Sequence, residues 1–263
     1  MSKGNDGLSC VWSLCAGLML TTSSVALAEP DVITLVAPEY WCPFSCAEGS
    51  EEEGFAVDIT RAALATQGIR VRYVNMAYDR ALQQVRHGTV DAVVPVMVDE
   101  APDFVYPQQP VSATEYCFYS APQSVWQYDG EASLAGVRLL ATSGYRYGEP
   151  VDTYIELNKN GAVTLMQGGN IPDRMIRMVQ SGRFDALLDD SRLFDYAIAR
   201  NRYPVTLRNA GCLPEVYYGF AAFSPALSRT PHSVEAFNRG LKQIRASGEL
   251  ARILKRYAIS DWQ

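Results

Sequence analysis

Residues 85–94 read VRHGTVDAVV, and residues 179–188 read VQSGRFDALL. Each stretch contains the end of a helical pattern, a glycine, a short turn, an aspartate and then an apolar run. Apolar runs of this kind are typical of strands in a parallel sheet that is covered on both faces. The two stretches therefore predict two α/β units with the same internal organisation, although this likeness alone does not establish a duplication.

The segments that surround the two stretches continue the alternation of strand and helix patterns. Residues 31–38 and 69–76 alternate as strands do, and residues 55–68 between them carry apolar positions at helical spacing. In the second half, residues 162–168 have a strand pattern and residues 171–182 a helical one. An alternation of strands and helices indicates an α/β fold.

The C-terminal part of the chain completes the predicted organisation. Residues 215–225 read as an extended aromatic strand and residues 233–259 as two helices, which are too few elements for a separate domain. We expect them to pack on the first unit, so that the chain crosses twice between the units. Lobe 1 then comprises residues 29–113 and 219–263, and lobe 2 with the hinge strands comprises residues 114–218.

Residues 1–28 have the pattern of a signal peptide. Lys3 precedes an apolar stretch at residues 8–20, and Ala26 and Ala28 have the spacing that signal peptidase requires. The apolar stretch is shorter than the roughly 20 residues that a membrane-spanning helix needs. We therefore predict cleavage after Ala28 and a periplasmic location.

The composition is that of an ordinary globular protein. The net charge is −6, the isoelectric point is near 5.0 and hydrophobic residues make up 48% of the chain. Because no run of lysine and arginine forms a basic face, nucleic acid is not an expected partner. We expect a monomer without a cofactor.

Four cysteines remain after removal of the signal peptide: Cys42, Cys46, Cys117 and Cys212. An even number of cysteines in an oxidising compartment favours disulfides. Four cysteines allow three pairings, and the short spacing favours Cys42 with Cys46. Cys117 is then left to pair with Cys212.

A redox or metal role is the alternative for the first pair, which lies in the sequence CPFSC at residues 42–46. Three residues separate its thiols, whereas a thioredoxin-like centre has two. The two histidines of the chain, His87 and His232, lie far away and have no partner at ligand spacing. We therefore expect a structural disulfide and no metal site.

The combination of these patterns resembles the family 3 extracellular solute-binding proteins, the polar amino-acid receptors of ATP-driven (ABC) importers. The resemblance covers essentially the whole mature chain, and the order and spacing of six stretches carry it: residues 54–68, 88–98, 103–111, 133–148, 181–191 and 237–257. It implies the type II-like periplasmic-binding-protein fold, in which two hinge crossovers join two α/β lobes and the ligand binds in the cleft between them.

The resemblance also implies ligand-binding residues. Asp190 stands where members of the family receive the α-ammonium group of the ligand. Tyr40 or Trp41 stands where an aromatic ring stacks on the ligand. The turn that contains Ser143 and Tyr145 stands where hydroxyl and backbone N–H groups bind a carboxylate.

One family feature is missing. Amino-acid binders carry an arginine after the third strand that clamps the ligand carboxylate, but residues 99–104 read DEAPDF. Either Arg80 or Arg146 supplies this charge from another direction, or the ligand is not an ordinary α-amino acid. Asp99 and Glu100 favour a cationic or polyhydroxy ligand if they face the cleft, and are solvated loop charges otherwise.

Tyr217, in the extended segment near the C-terminus, is a further candidate for the cleft, with packing beneath the cleft as the alternative. Together these residues predict a non-enzymatic solute-binding protein that captures a small polar ligand, with amines as one class, and delivers it to the membrane permease of an ABC transporter. Two alternatives stay open: a periplasmic dehydratase-type enzyme on the same fold, and a ligand receptor for a membrane sensor.

Overall fold

The computed structural model describes residue 1 and residues 31–38, 41–167, 171–199 and 207–262. The predicted signal peptide and the candidate Tyr40 lie outside these residues. Within the described ranges, none of the helices has both the length and the apolar character needed to span a bilayer.

The described residues form eight strands and seven α-helices, with a short 3-10 helix at Glu131–Leu134. The strands are β1 (Val32–Ala37), β2 (Arg70–Asn75), β3 (Ala92–Val96), β4 (Ser112–Ser120), β5 (Leu139–Thr142), β6 (Val163–Met166), β7 (Ala186–Asp190) and β8 (Arg208–Phe223). The helices are α1 (Phe55–Ala65), α2 (Tyr78–Arg86), α3 (Val151–Asn158), α4 (Ile171–Gln180), α5 (Ser191–Ala199), α6 (Thr230–Ala246) and α7 (Glu249–Arg256).

The strands lie in the order β2-β1-β3-β8-β4-β7-β5-β6. β1 runs parallel to β2 and β3, and β5 runs parallel to β6 and β7. The long strand β8 pairs antiparallel with β3 at its C-terminal end and with β4 along the rest of its length. Two parallel units are thus joined through β4 and β8, and the predicted α/β fold with two crossings is confirmed. The exact lobe boundaries stay predictions.

Helices cover both faces of the first unit. Every residue of β3 is buried, as its apolar run predicts. Ala81 and Val85 of α2 pack with Val36 of β1 on one face. On the other face, α1 packs against α6, where a Cβ atom at Gly240 would collide with the backbone carbonyl group of Ala63. Glycine therefore permits the close approach of these two helices.

Both predicted disulfides are present. Cys42 is bonded to Cys46, and Cys117 of β4 is bonded to Cys212 of β8. Cys117 and Cys212 are also direct partners in the ladder between the two strands. The second disulfide therefore joins the two strands that connect the units.

Candidate functional site

The candidate site is centred on the carboxyl end of β7. Asp189 and Asp190 end this strand, and the side chain of each is buried, with about 1% exposed. α5 begins at the next residue, so the two carboxyl groups lie at the junction between a strand and a helix. In the ladder between β4 and β7, Asp190 lies directly opposite Tyr116.

The two aspartates differ in their hydrogen bonds. Asp189 accepts the backbone N–H group of Asp190 at 2.8 Å and the hydroxyl group of Thr142 at 3.2 Å. Oδ1 of Asp190 accepts the backbone N–H group of Arg192 at 2.7 Å, and the nearby hydroxyl group of Thr114 also favours the ionised form of Asp190, but Oδ2 has no hydrogen bond of regular geometry to a described residue. Buried polar atoms are nearly always paired, so an unpaired buried oxygen requires an explanation such as a ligand.

Burial also changes the acidity of both groups. Loss of solvation raises the pKa of Asp189 to about 6 and the pKa of Asp190 to about 7, the latter against the opposing charge of Arg192. A positively charged group beside Oδ2 would favour the ionised form of Asp190. The site is therefore suited to a cation.

Three tyrosines surround Tyr116, which lies opposite Asp190, and the four are here called the tyrosine cluster: Tyr116, Tyr145, Tyr147 and Tyr217. The ring of Tyr116 lies 4.7 Å from the ring of Tyr147, 5.8 Å from that of Tyr217 and 6.3 Å from that of Tyr145, measured between centroids. The hydroxyl oxygen of Tyr147 accepts the backbone N–H group of Thr142 at 2.7 Å. The cluster thus fixes the turn after β5 against β4 and β8.

Trp41 brings an aromatic ring from the first unit to this cluster. Its indole ring stacks on the ring of Phe44, with 4.9 Å between centroids, and Phe44 lies in the loop that the Cys42–Cys46 disulfide closes. Burial and the charges of Asp189 and Asp190 raise the pKa of Tyr145, and the nearby indole N–H of Trp41 acts in the opposite direction. The same N–H group is buried without a regular hydrogen bond to any described residue. The indole N–H group of Trp41 therefore lies close to the phenol group of Tyr145 without a hydrogen bond of regular geometry.

The remaining sequence-predicted residues lie at the surface. Arg80 is exposed in the first turn of α2, and Ser143 and Arg146 are exposed in the turn after β5. Within the described part of the chain, neither arginine takes part in a hydrogen bond or an ion pair. Their roles as ligand-binding residues stay predictions.

Two residues at the site were not singled out from the sequence. Tyr116 and Thr142 are brought to the aspartates by the register of β4, β5 and β7, which the sequence does not contain. A surface depression lined by α7 and residues 258–261 shares no residue with this site. Its lining carries no buried polar group without a partner, and we assign it no role.

The comparisons with known proteins agree with this architecture. Residues 33–104 match the family model of bacterial extracellular solute-binding proteins, family 3. The resemblance to this family is confirmed. No curated protein sequence matches the chain significantly.

Solved structures of solute-binding proteins and of a sensor domain share the fold. The probable amino-acid ABC transporter extracellular-binding protein ytmK from Bacillus subtilis has a TM-score of 0.70 at 14% identity, and the alignment covers 87% of this chain and 98% of that one. Substrate-binding domain 2 of GlnP from Lactococcus lactis, in an open conformation, has a TM-score of 0.63 at 22% identity and coverages of 88% and 97%. A histidine kinase sensor domain that is similar to periplasmic binding proteins has a TM-score of 0.64 at 16% identity and coverages of 86% and 95%. At these identities the structures show a shared fold.

Proposed function

We propose that the protein is a periplasmic solute-binding protein that binds a small amine-bearing ligand between its two lobes and delivers it to the permease of an ABC transporter. One observation carries the choice of ligand: Oδ2 of Asp190 is buried beside the tyrosine cluster without a hydrogen bond of regular geometry. The family match and the shared fold support the general role of solute binding.

The chemistry of the site favours a positive charge. A carboxylate that is removed from water is costly unless a cation or hydrogen-bond donors compensate it. An ammonium group at Oδ2 supplies this compensation. The faces of Tyr116, Tyr145 and Trp41 add cation–π attraction, which contributes about 0.5 to 2 kcal/mol for each favourable contact.

Binding would act through a shift between open and closed states. We take lobe 1 as residues 29–113 with 219–263 and lobe 2 as residues 114–218, joined through β4 and β8. A ligand that contacts both Trp41 and Asp190 binds the closed state better than the open one. To move the closed population from about 1% to about 99%, it must bind the closed state about ten-thousandfold more tightly, which corresponds to about 5.5 kcal/mol.

Calorimetric titration of the purified protein with amines, amino acids, polyols and organic acids tests the proposal. We expect an amine-bearing compound to bind, and we expect Asp190→Asn to weaken it at least about thirtyfold, as measured when one partner of a buried charge pair is removed. Asp129→Asn is the matched control because Asp129 is an exposed aspartate, whereas Asp190 is buried. Binding of polyols together with no response to any amine would contradict the role given to Asp190.

Two other functions remain as candidates. The histidine kinase sensor domain of the same fold supports a receptor for a membrane sensor, which would use the same ligand site but a different membrane partner. Buried carboxyl groups with raised pKa values, such as Asp189 and Asp190, are also the groups that acid catalysis uses. Turnover of prephenate by the purified protein would favour the dehydratase-type enzyme over the transport role.

A further inference from the structure

Arg192 is the second residue of α5 and lies two positions after Asp190. Its backbone N–H group donates to Oδ1 of Asp190 at 2.7 Å. In its side chain, Nε and Nη1 are buried, and neither has a hydrogen-bond partner among the residues that the structure describes. A buried cationic group thus has donors that the described part of the protein leaves unused.

Two other arginines with a buried unpaired Nε differ from Arg192. They are Arg208 and Arg245, and each donates through another nitrogen of its guanidinium group. Arg208 donates to the backbone carbonyl group of Trp126, whereas Arg245 donates at 2.7 Å to a carboxylate. Arg192 makes no such bond to a described residue. Because a guanidinium group keeps its charge in proteins and an unpaired buried charge is costly, an anionic partner is expected.

The position of Arg192 on α5 directs its side chain toward the first unit. Tyr196 follows Arg192 by four residues and therefore lies on the same face of the helix. The hydroxyl group of Tyr196 donates to the carboxylate of Glu52 at 3.1 Å, and its ring lies 6.3 Å from that of Tyr257 between centroids. Glu52 and Tyr257 both belong to the first unit. Arg192 lies one turn closer to Asp190 on this face.

The opposite face of α5 packs on the second unit itself. Phe194 is buried and stacks on Tyr119 of β4, with 4.4 Å between ring centroids. Two residues along a helix correspond to a rotation of about 200°. Arg192 therefore points away from β4 and into the region between the units.

Asp190 provides a complementary group at the same junction of strand and helix. Its Oδ2 is buried without a hydrogen bond of regular geometry. Burial raises the pKa of Asp190, and the positive charge of Arg192 is the main opposing influence, which agrees with a short distance between the two charges. An ammonium group at Oδ2 and a carboxylate at Arg192 would each meet an opposite charge.

We propose that Arg192 binds a carboxylate of the ligand, so that the second unit holds both the ammonium and the carboxylate group at the junction of β7 and α5. Arg192 thereby takes the role left open between Arg80 and Arg146, which are both exposed. The N–H groups of a guanidinium form a fork that matches a carboxylate. The proposal rests on the proposed function, since it uses Asp190 for the amine, and it adds the acid group of the ligand and the residue that selects it.

Titration calorimetry with a series of amino acids, each paired with the amine in which hydrogen replaces the carboxylate, tests the role of Arg192. We expect the amino acid that binds best to bind at least about thirtyfold more tightly than its amine. We expect Arg192→Gln to weaken this amino acid at least about thirtyfold, while the affinity for the amine changes less than about threefold.

Arg192→Lys and Arg177→Gln complete the design. Lysine keeps the positive charge without the fork, so we expect Arg192→Lys to prefer the amino acid over its amine less strongly than the unmodified protein and more strongly than Arg192→Gln. Arg177→Gln is the matched control, since the side chain of Arg177 is 77% exposed on α4 of the same unit, and we expect it to keep both affinities. Thermal melting of each variant shows whether the fold is retained. If Arg192→Gln does not fold, the preference measured in Arg192→Lys decides.

The failures of the two proposals can be told apart. If amines or amino acids bind, depend on Asp190 and ignore Arg192→Gln, the role of Arg192 is wrong and the solute-binding proposal stands. Equal losses of amino-acid and amine affinity in Arg192→Gln would show that Arg192 only positions Asp190, and would also overturn the carboxylate site. If no amine or amino acid binds and Asp190→Asn changes nothing, both proposals fall.

Discussion

The hydroxyl group of Tyr217 on β8 lies against Gly148, in the space that a Cβ atom at this position would fill. Gly148 also has a φ of 90°, a backbone conformation that residues with side chains rarely adopt. Tyr217 therefore packs onto the end of the turn that carries Tyr145. The contact connects a strand between the units to the loop that forms the site.

We expect Gly148→Ala to destabilise the protein by about 2 to 4 kcal/mol, because the new methyl group adds a collision to the cost of the positive φ. Gly136→Ala is the matched control, since Gly136 has a φ of 79° and no other atom lies within 4 Å of the place where its Cβ atom would be. Urea unfolding of both variants separates the collision from the backbone strain. Equal losses at the two positions would show that Tyr217 does not occupy the space.

A double-mutant cycle isolates the contact further. Tyr217→Phe removes the hydroxyl group and leaves the ring, whose nearest carbon would lie 3.5 Å from the added Cβ atom. We expect Tyr217→Phe to recover about 1 to 2 kcal/mol of the loss in the Gly148→Ala background. No recovery in the double variant would contradict the proposed collision.

The disulfide between Cys117 and Cys212 closes a far longer loop than that between Cys42 and Cys46, with sequence separations of 95 and 4 residues. On the chain-entropy estimate, loss of the Cys117–Cys212 disulfide lowers the free energy of unfolding by about 4 to 5 kcal/mol, and loss of the Cys42–Cys46 disulfide lowers it by about 2 kcal/mol. Two variants, each with both cysteines of one disulfide replaced by alanine, are compared by urea unfolding in the same buffer, which shows which loss of stability is larger. A larger loss on removal of the short loop would contradict the entropic account.

The sequence predicted the framework of the site and missed its detail for identifiable reasons. Asp190 was found because the resemblance to the family implies a ligand-binding aspartate after the apolar run DALL at residues 185–188. Tyr116 was not found, because its place opposite Asp190 depends on the register of two strands that are far apart in the chain.

The start of β8 was also mispredicted because it depends on pairing with a distant strand. The extended segment was predicted from residue 215, whereas the strand begins at Arg208. Gly211 and Pro214 are residues that normally interrupt strands. Here the ladder with β4 shifts register between Glu115 and Cys117, and the irregularity accommodates Pro214 while the disulfide at Cys212 holds the strands together. Pairing with a distant strand thus overrides the local signal.

Trp41 is expected to contribute to ligand binding through both its ring and its N–H group. Trp41→Phe keeps a ring that can stack on Phe44 and removes the unpaired donor, whereas Trp41→Ala removes both. We expect a loss of amine affinity of about fivefold for the first variant and about thirtyfold for the second. Calorimetric titration measures both values.

Trp126→Phe is the control for the tryptophan substitutions. The indole N–H of Trp126 donates to the backbone carbonyl group of Ser133 at 2.8 Å, and its ring packs on Phe118. We expect this variant to lose some stability and to keep its affinity. Equal affinities of the Trp41→Ala variant and the unmodified protein would remove Trp41 from the ligand site.

The raised pKa values of Asp189 and Asp190 predict how stability depends on pH. Between the ordinary aspartate pKa near 4 and the folded-state values of about 6 and about 7, the folded state binds more protons than the unfolded state. Their contribution to stability is therefore fully present at low pH and is lost as the pH rises through this window. For Asp190 the expected loss is about 2 to 4 kcal/mol, and Asp190→Asn should remove this part of the dependence.

Amine binding should have the opposite dependence, because the ammonium group favours the ionised form of Asp190. Below the pKa of about 7, the carboxyl group must first lose its proton, so we expect the affinity to fall by up to about tenfold for each unit of pH. Titrations at several pH values, in buffers of different ionisation enthalpy, measure both the affinity and the protons released on binding. An affinity that is constant across this range, with no proton release, would mean that the cation does not bind at Asp190.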